Sequence, residues 1–122
     1  MGTRSHTILY GNDGKEICVL YRQYDGYPDG HGKELKNFLR GKKIVNGLSG
    51  DTSMVFNGMD CLAASIVAHF KKEAGGFYLM SAGSRDGEFE YKVKKDLNGI
   101  IMLIIKDSSG EVLEEWKAIN GD

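Results

Sequence analysis

The stretch Thr7–Tyr24, TILYGNDGKEICVLYRQY, decides the architecture. Thr7 to Tyr10 reads as a strand. Asn12-Asp13-Gly14 reads as the tight turn that reverses it, because these residue types tolerate the positive φ angles of a hairpin. The return arm, Lys15 to Tyr24, is rich in β-branched and aromatic residues. Its alternation puts Ile17, Val19 and Tyr21 on one face and Cys18, Leu20 and Arg22 on the other. Both faces are partly apolar, which predicts a strand inside a sheet and covered on both sides; Tyr21 reads as core.

Working outward, Leu35, Phe38 and Leu39 recur at helical spacing with Lys33, Glu34, Lys36 and Asn37 outside them, and Gly41 supplies a stop. Gly47 to Asn57 reads as irregular. Asn57 suits the N-cap of a second helix, with the Asp60 carboxylate near its positive end. Met59, Leu62, Ile66 and Phe70 make the apolar stripe, Lys71 and Lys72 suit its C-terminal end, and Gly75-Gly76 ends it. Phe77 to Ala82 is strand-like. Glu88 to Lys94 alternates, with Phe89, Tyr91 and Val93 on the inward face. Asn98-Gly99 is a hairpin signal leading into the apolar run Ile100–Ile105, and Ser108-Ser109-Gly110 turns into Glu111–Lys117. The expected class is α+β in a single domain, residues 1–122. It has an antiparallel sheet of about six strands, an N-terminal hairpin plus a C-terminal meander, with two α-helices between the strand groups.

Composition excludes several function classes. The chain has 122 residues, 41% hydrophobic and 27% charged, with a formal net charge of −1. That balance argues against DNA or an anionic membrane as partner, both of which call for a basic excess. Ile100–Ile105 is far short of the roughly 20 apolar residues of a membrane span, and the first residues show no signal-peptide pattern. Cys18 and Cys61 lie in no CxxC, so zinc is not supported; both read as reduced, and the expected setting is the cytoplasm. An EF-hand fails because Tyr27 and Lys36 would occupy ligand positions. A phosphate loop of the NTPase kind fails on spacing and because Glu34 stands where Ser or Thr should hold Mg²⁺. His6, His31 and His69 fall in different elements without metalloprotease spacing. No catalytic residues, metal or cofactor are expected.

One connection carries more chemistry than a turn requires: YRQYDGYPDGHG, Tyr21–Gly32. Glycines before a helix offer free amides and a positive dipole end to a phosphate. Arg22 brings a guanidinium fork. Tyr24 and Tyr27 have flat faces for a purine, and Asp25 and Asp29 can accept from ribose hydroxyls. The same residues also suit a plain β-turn with Asp29 as N-cap. Arg4 and Arg85 are candidates for further anion contacts, and read equally as a solvated terminus and a solvated turn residue. One of Phe77 and Tyr78 must face away from the core, where it could stack on a base.

The opening MGTRSHT, the core YRQYDGYPDGHGKELKNFL, the segment IVNG and the later NGMDCLAASIVAHFK together resemble a phage and prophage family, the first-described type of Thoeris anti-defence protein. The resemblance spans residues 1–93, is most specific over 21–32, and finds no motif in the C-terminal strands. It implies a non-enzymatic sponge acting in the cytoplasm of the bacterial host. Its ligand would be glycocyclic ADP-ribose, the signal that TIR-domain enzymes make from NAD⁺, held without cleavage. Some members of the family also bind cyclic dinucleotides or trinucleotides at a separate site. The family forms homo-oligomers, dimers or larger, up to a hexamer, with the pocket near a subunit interface. Carried onto this sequence, the motif residues put Arg22, Gln23, Tyr24, Asp25, Gly26, Tyr27, Gly30, His31, Gly32 and Asn57 at the ligand, with Arg4, Phe77 and Arg85 added on physical grounds. The competing readings are a nucleotide-signal hydrolase using His31 with Asp25 or Asp29, and a structural phage protein in which Ile100–Ile105 makes an oligomer contact.

Overall fold

A computed structural model describes residues 2–119. Strands β1 (Ser5–Tyr10) and β2 (Glu16–Arg22) pair antiparallel, and Gly14 takes the positive φ, 81°, that closes their turn. After β2, one π-turn (Pro28–Gly32) runs without a break into α1 (Lys33–Leu39). Then come β3 (Lys43–Val45), β4 (Val55–Asn57), α2 (Gly58–Phe70), β5 (Phe77–Ser81), β6 (Phe89–Lys95), β7 (Ile101–Asp107) and β8 (Val112–Lys117). The class is α+β, with two helices and a mostly antiparallel six-stranded sheet in the order β5-β2-β1-β6-β7-β8.

Three features depart from the reading of the sequence. The last four strands do not form one meander: β6, β7 and β8 do, but β5 pairs with β2 at the far edge. Alternation within Phe77–Ser81 says which residues share a face and nothing about which strand lies beside them. As a consequence β1 and β6 pair in parallel. Second, the segment read as irregular contributes β4, which pairs with β3 in a small parallel ribbon. Third, the caps differ. Asn57 spends its side chain on the Gly47 N–H, 2.8 Å away. The Met59 N–H at the start of α2 is instead received by Asn12 Oδ1, 2.9 Å away across the fold. Asp29 lies inside the π-turn and caps nothing. Lys71 and Lys72 fall just past α2, where Lys71 Nζ donates to the carbonyls of Gly75 and Phe77.

The helices cover one face of the sheet. Leu35 and Leu39 from α1 and Met59, Leu62, Ile66 and Phe70 from α2 meet Leu9, Leu20, Tyr91, Val93, Leu103, Ile105 and Trp116. Each fully buried aliphatic side chain contributes roughly 1.5–3 kcal/mol of transfer free energy. Among the described residues the other face carries no helix. There the connection 82–88 runs from β5 to β6 over β2 and β1. Arg85 forms an ion pair with Glu16 of β2 and lies 3.6 Å from Glu90 of β6. The Glu88 N–H donates to the Arg4 carbonyl at 2.8 Å. Ile8 and Val19, on this face, are buried. Among the described residues no helix is long and apolar enough to cross a membrane.

The loop after β2 passes so close to β1 that only glycine fits at position 26. A Cβ there would lie 2.7 Å from the Ser5 Cβ and 2.8 Å from its backbone nitrogen. Backbone in a central strand cannot step aside. Gly26→Ala is therefore expected to destabilise the fold by about 1–3 kcal/mol in urea unfolding, whereas wild-type stability would show that this approach is not tight.

Candidate functional site

The residue-rich loop divides between the two faces of the sheet, and the division follows from strand periodicity. Arg22 points to the helix side, where it and His31 find their partners within the protein. The imidazole of His31 is fully buried. Arg22 Nη1 lies 3.1 Å from His31 Nδ1. A guanidinium can only donate, so Nδ1 accepts and the ring proton sits on Nε2, which donates to Thr7 Oγ1 at 2.7 Å. The same guanidinium pairs with Glu34 of α1, donates through Nε to the Tyr24 carbonyl at 2.6 Å, and lies over the Phe77 ring, 4.9 Å from its centroid. Burial, with Arg22⁺ as a second cause, pushes the His31 pKa down to about 3.

Tyr91 holds the two ends of the loop. Its Oη donates to the Gly26 carbonyl at 2.6 Å and receives the Gly32 amide. Burial raises its own ionisation well above the usual tyrosine value. Three further amides are also spent: Gly30 on the Tyr27 carbonyl at 2.9 Å and His31 on the Asp25 carbonyl at 3.0 Å, with Lys33 on that of Pro28. Arg22, Gly26, Gly30, His31 and Gly32 thus form a structural node. The expected phosphate cradle does not form there, because the glycines lie inside one continuous helical run. Phe77 belongs to the same apolar corner, its ring 5.4 Å from that of Phe70. It is Tyr78 that faces outward.

On the open face the neighbouring side chains build a different place. Arg4, Tyr21, Gln23, Tyr24 and Glu88, with Gly2, line a cavity of about 680 Å³. Ligand clefts run from about 300 to 1,000 Å³. Tyr24 is 54% exposed. Among the described residues the Arg4 side chain holds only Asp86, at 3.2 Å in an exposed pair, which contributes little in water. Glu88 also borders a second cavity of about 380 Å³, with His6, Arg85, Glu90 and Lys106 on its walls. There His6 Nε2 lies 3.1 Å from Glu90 Oε1, and Arg85 is committed to Glu16 and Glu90.

Of the predicted site residues, the structure therefore brings Arg4, Gln23 and Tyr24 together. Arg85 sits in the adjoining cavity. Asp25 and Tyr27 are exposed at the loop tip, 3.4 Å apart through their side chains, and Asn57 lies at the start of α2, away from all of them. Sequence reasoning missed Tyr21 and Glu88. Tyr21 carried a usable signal, since residues 21 and 23 share the face opposite Arg22. Glu88 carried none, because its position depends on where the crossing from β5 lands. Among the described residues no three His, Cys, Asp or Glu side chains converge where they could share a metal ion. Comparison with protein-family models, with curated proteins and with solved structures finds no match.

The sealed imidazole gives the fold a pH dependence of known sign. The folded protein keeps His31 neutral down to about pH 3, whereas an unfolded chain protonates it near the ordinary histidine value of 6.5. The unfolded state therefore binds more protons between these values, and stability present above pH 6.5 is lost as pH falls toward 3. Urea unfolding between neutral pH and the onset of carboxylate titration should show this loss. His31→Gln should be less stable at neutral pH and show a flatter slope across the same window; a variant with the wild-type slope would assign the effect elsewhere.

Proposed function

We propose that this protein captures an anionic adenosine compound of the cyclic ADP-ribose type, in particular glycocyclic ADP-ribose, and holds it without cleavage. In this reading it is a phage or prophage sponge that blocks Thoeris-type immunity in the bacterial host cytoplasm. The observation that carries the proposal is the open-face cavity, nucleotide-sized and walled by Arg4, Tyr21, Gln23 and Tyr24. An arginine fork suits a pyrophosphate, and two tyrosine rings offer stacking faces for a purine. The Gln23 amide and Glu88 carboxylate can exchange hydrogen bonds with ribose hydroxyls and a base amine. The resemblance over residues 1–93 supports the same ligand class. It also fits that both nitrogens of His31 are already bonded, so the competing hydrolase loses the base it was given.

The test is calorimetry and thermal shift with glycocyclic ADP-ribose, followed by heating and recovery of the small molecule. Intact ligand in stoichiometric yield is expected, with a melting point that rises as ligand is added, because binding the folded state alone stabilises it. Tyr24→Ala and Arg4→Ala, both at exposed positions, should each weaken binding by about tenfold or more while leaving the unliganded melting point within error. No shift at ligand far above the protein concentration, or recovery of a cleaved product, would overturn the proposal.

A further inference from the structure

Buried polar side-chain atoms in folded proteins almost all have a hydrogen-bond partner. Three here have none among the described residues: Ser5 Oγ, His6 Nδ1 and Trp116 Nε1. Of the three, His6 borders a cavity, the one of about 380 Å³ beside the proposed ligand site. The residue is only 6% exposed. Its Nε2 lies 3.1 Å from Glu90 Oε1. A carboxylate accepts, so Nε2 donates, and in the neutral ring Nδ1 is then an acceptor without a donor.

The charges on the same walls are answered unevenly. Lys106 stands directly opposite Glu90 in the β6–β7 register, the usual place for a cross-strand ion pair. Among the described residues no such pair forms, because the Glu90 carboxylate is already shared by His6, by Arg85 Nε at 3.6 Å and by Lys92 Nζ at 3.8 Å. Arg85 is held by Glu16 as well, and Asp107 Oδ1 receives the Ser109 and Glu111 N–H groups at 2.9 and 3.1 Å. Lys106 is left without a carboxylate. Lys92, which pairs with Ile104 across the strands, is its diagonal neighbour on the open face. Burial, and after it the Lys106 charge, hold the Lys92 ammonium below the usual lysine range, as expected of two cations with no anion between them. The Glu88 side chain, too, makes no hydrogen bond or ion pair among the described residues.

His6 Nδ1 and the Glu88 carboxylate call for hydroxyl donors, and Lys106, backed by Lys92, calls for an anion. A bare phosphate would leave His6 unanswered and meet Glu88 as a like charge. A neutral sugar would leave Lys106 unanswered. A sugar phosphate carries both kinds of group on one small skeleton. We infer that the cavity between segment 85–90 and the β7–β8 turn seats a ribosyl phosphate, its hydroxyls on His6 Nδ1 and Glu88 and its phosphate on Lys106. Glu88 borders this cavity and the larger, tyrosine-walled one alike. An ADP-ribose compound therefore divides between them: adenosine and its phosphate against Tyr21, Tyr24 and Arg4, the second ribosyl phosphate against His6 and Lys106. That division rests on the ligand reading above; the sugar-phosphate seat itself does not.

Calorimetry with adenosine 5′-monophosphate, ADP-ribose and ribose 5-phosphate tests it. Wild type is expected to bind ADP-ribose about tenfold or more tighter than adenosine 5′-monophosphate. His6→Gln keeps a donor within reach of Glu90 and deletes the second ring nitrogen; Lys106→Gln deletes the unpaired cation. Each should weaken ADP-ribose binding by about tenfold and leave the monophosphate affinity unchanged. Should His6→Gln lower the unliganded melting point, Lys106→Gln carries the comparison. Ribose 5-phosphate should raise the melting point of wild type and not of Lys106→Gln. ADP-ribose bound no tighter than the monophosphate, or variants that keep the full gain, overturn the inference, and the sponge reading stands if glycocyclic ADP-ribose still binds. Ribose 5-phosphate held through Lys106 while no adenosine compound binds supports the seat as one for a free sugar phosphate and overturns the sponge reading alone.

Discussion

A guanidinium that can only donate faces an imidazole that must therefore accept, and the imidazole is closed off from water. That constraint organises the molecule. A charged His31 would be a cation buried without solvent beside the Arg22 cation, so the ring is neutral, its tautomer is fixed, and its remaining proton has one destination, Thr7 of β1. Through this chain the central strand, the end of β2 and the start of α1 are joined by polar contacts of defined direction. Apolar packing sets no such direction. Leucines of similar size can be exchanged at modest cost, whereas a half-satisfied polar node costs more than none.

The node explains why the chain between β2 and α1 is so rich in functional groups. The glycines are there for proximity: Gly26 against Ser5, Gly30 against the Asp25 carbonyl, Gly32 against Tyr91. Histidine is there because both of its nitrogens are needed. Arg22 reaches His31, Glu34 and the Tyr24 carbonyl from the spread nitrogens of one planar fork, a geometry that the single nitrogen of a lysine does not offer. Asp25 is the only non-glycine described residue with a positive φ, 61°, a conformation aspartate adopts more readily than most residues. There its carbonyl receives the His31 N–H. The composition of this stretch first suggests a ligand; most of it is consumed in folding.

What the sequence made legible was what local physics controls. The hairpin turns at Gly14 and Gly99, the apolar stripes of both helices, and the inward set Tyr91 and Val93 all follow from periods of 2 and 3.6 and from glycine's freedom at positive φ. What it concealed depends on distant partners. The cap of α2 comes from Asn12, in a turn far back in the chain, and β5 chose β2 over its neighbour in sequence. The same limit split the site. Parity assigns Tyr21 and Gln23 to one face and Arg22 to the other, but parity alone does not say which face will be buried by helices. Once the helices take the Arg22 side, the candidate ligand groups are the ones left behind.

Placing binding on that remaining face has a physical advantage. Arg4, Gln23 and Tyr24 make few contacts that the fold requires, so their side chains can meet a ligand without first breaking the core. The backbone beneath them is nevertheless held firmly. Tyr24 is anchored through its carbonyl by Arg22, Arg4 through its carbonyl by Glu88, and the Gly26 amide by the Thr3 carbonyl at 2.8 Å. Exposed side chains on an immobilised backbone lose little entropy beyond their own rotamers when they bind, which is the condition for tight capture by a small domain. The polar node on one side of the sheet thus supplies the rigidity that a binding surface on the other side would use.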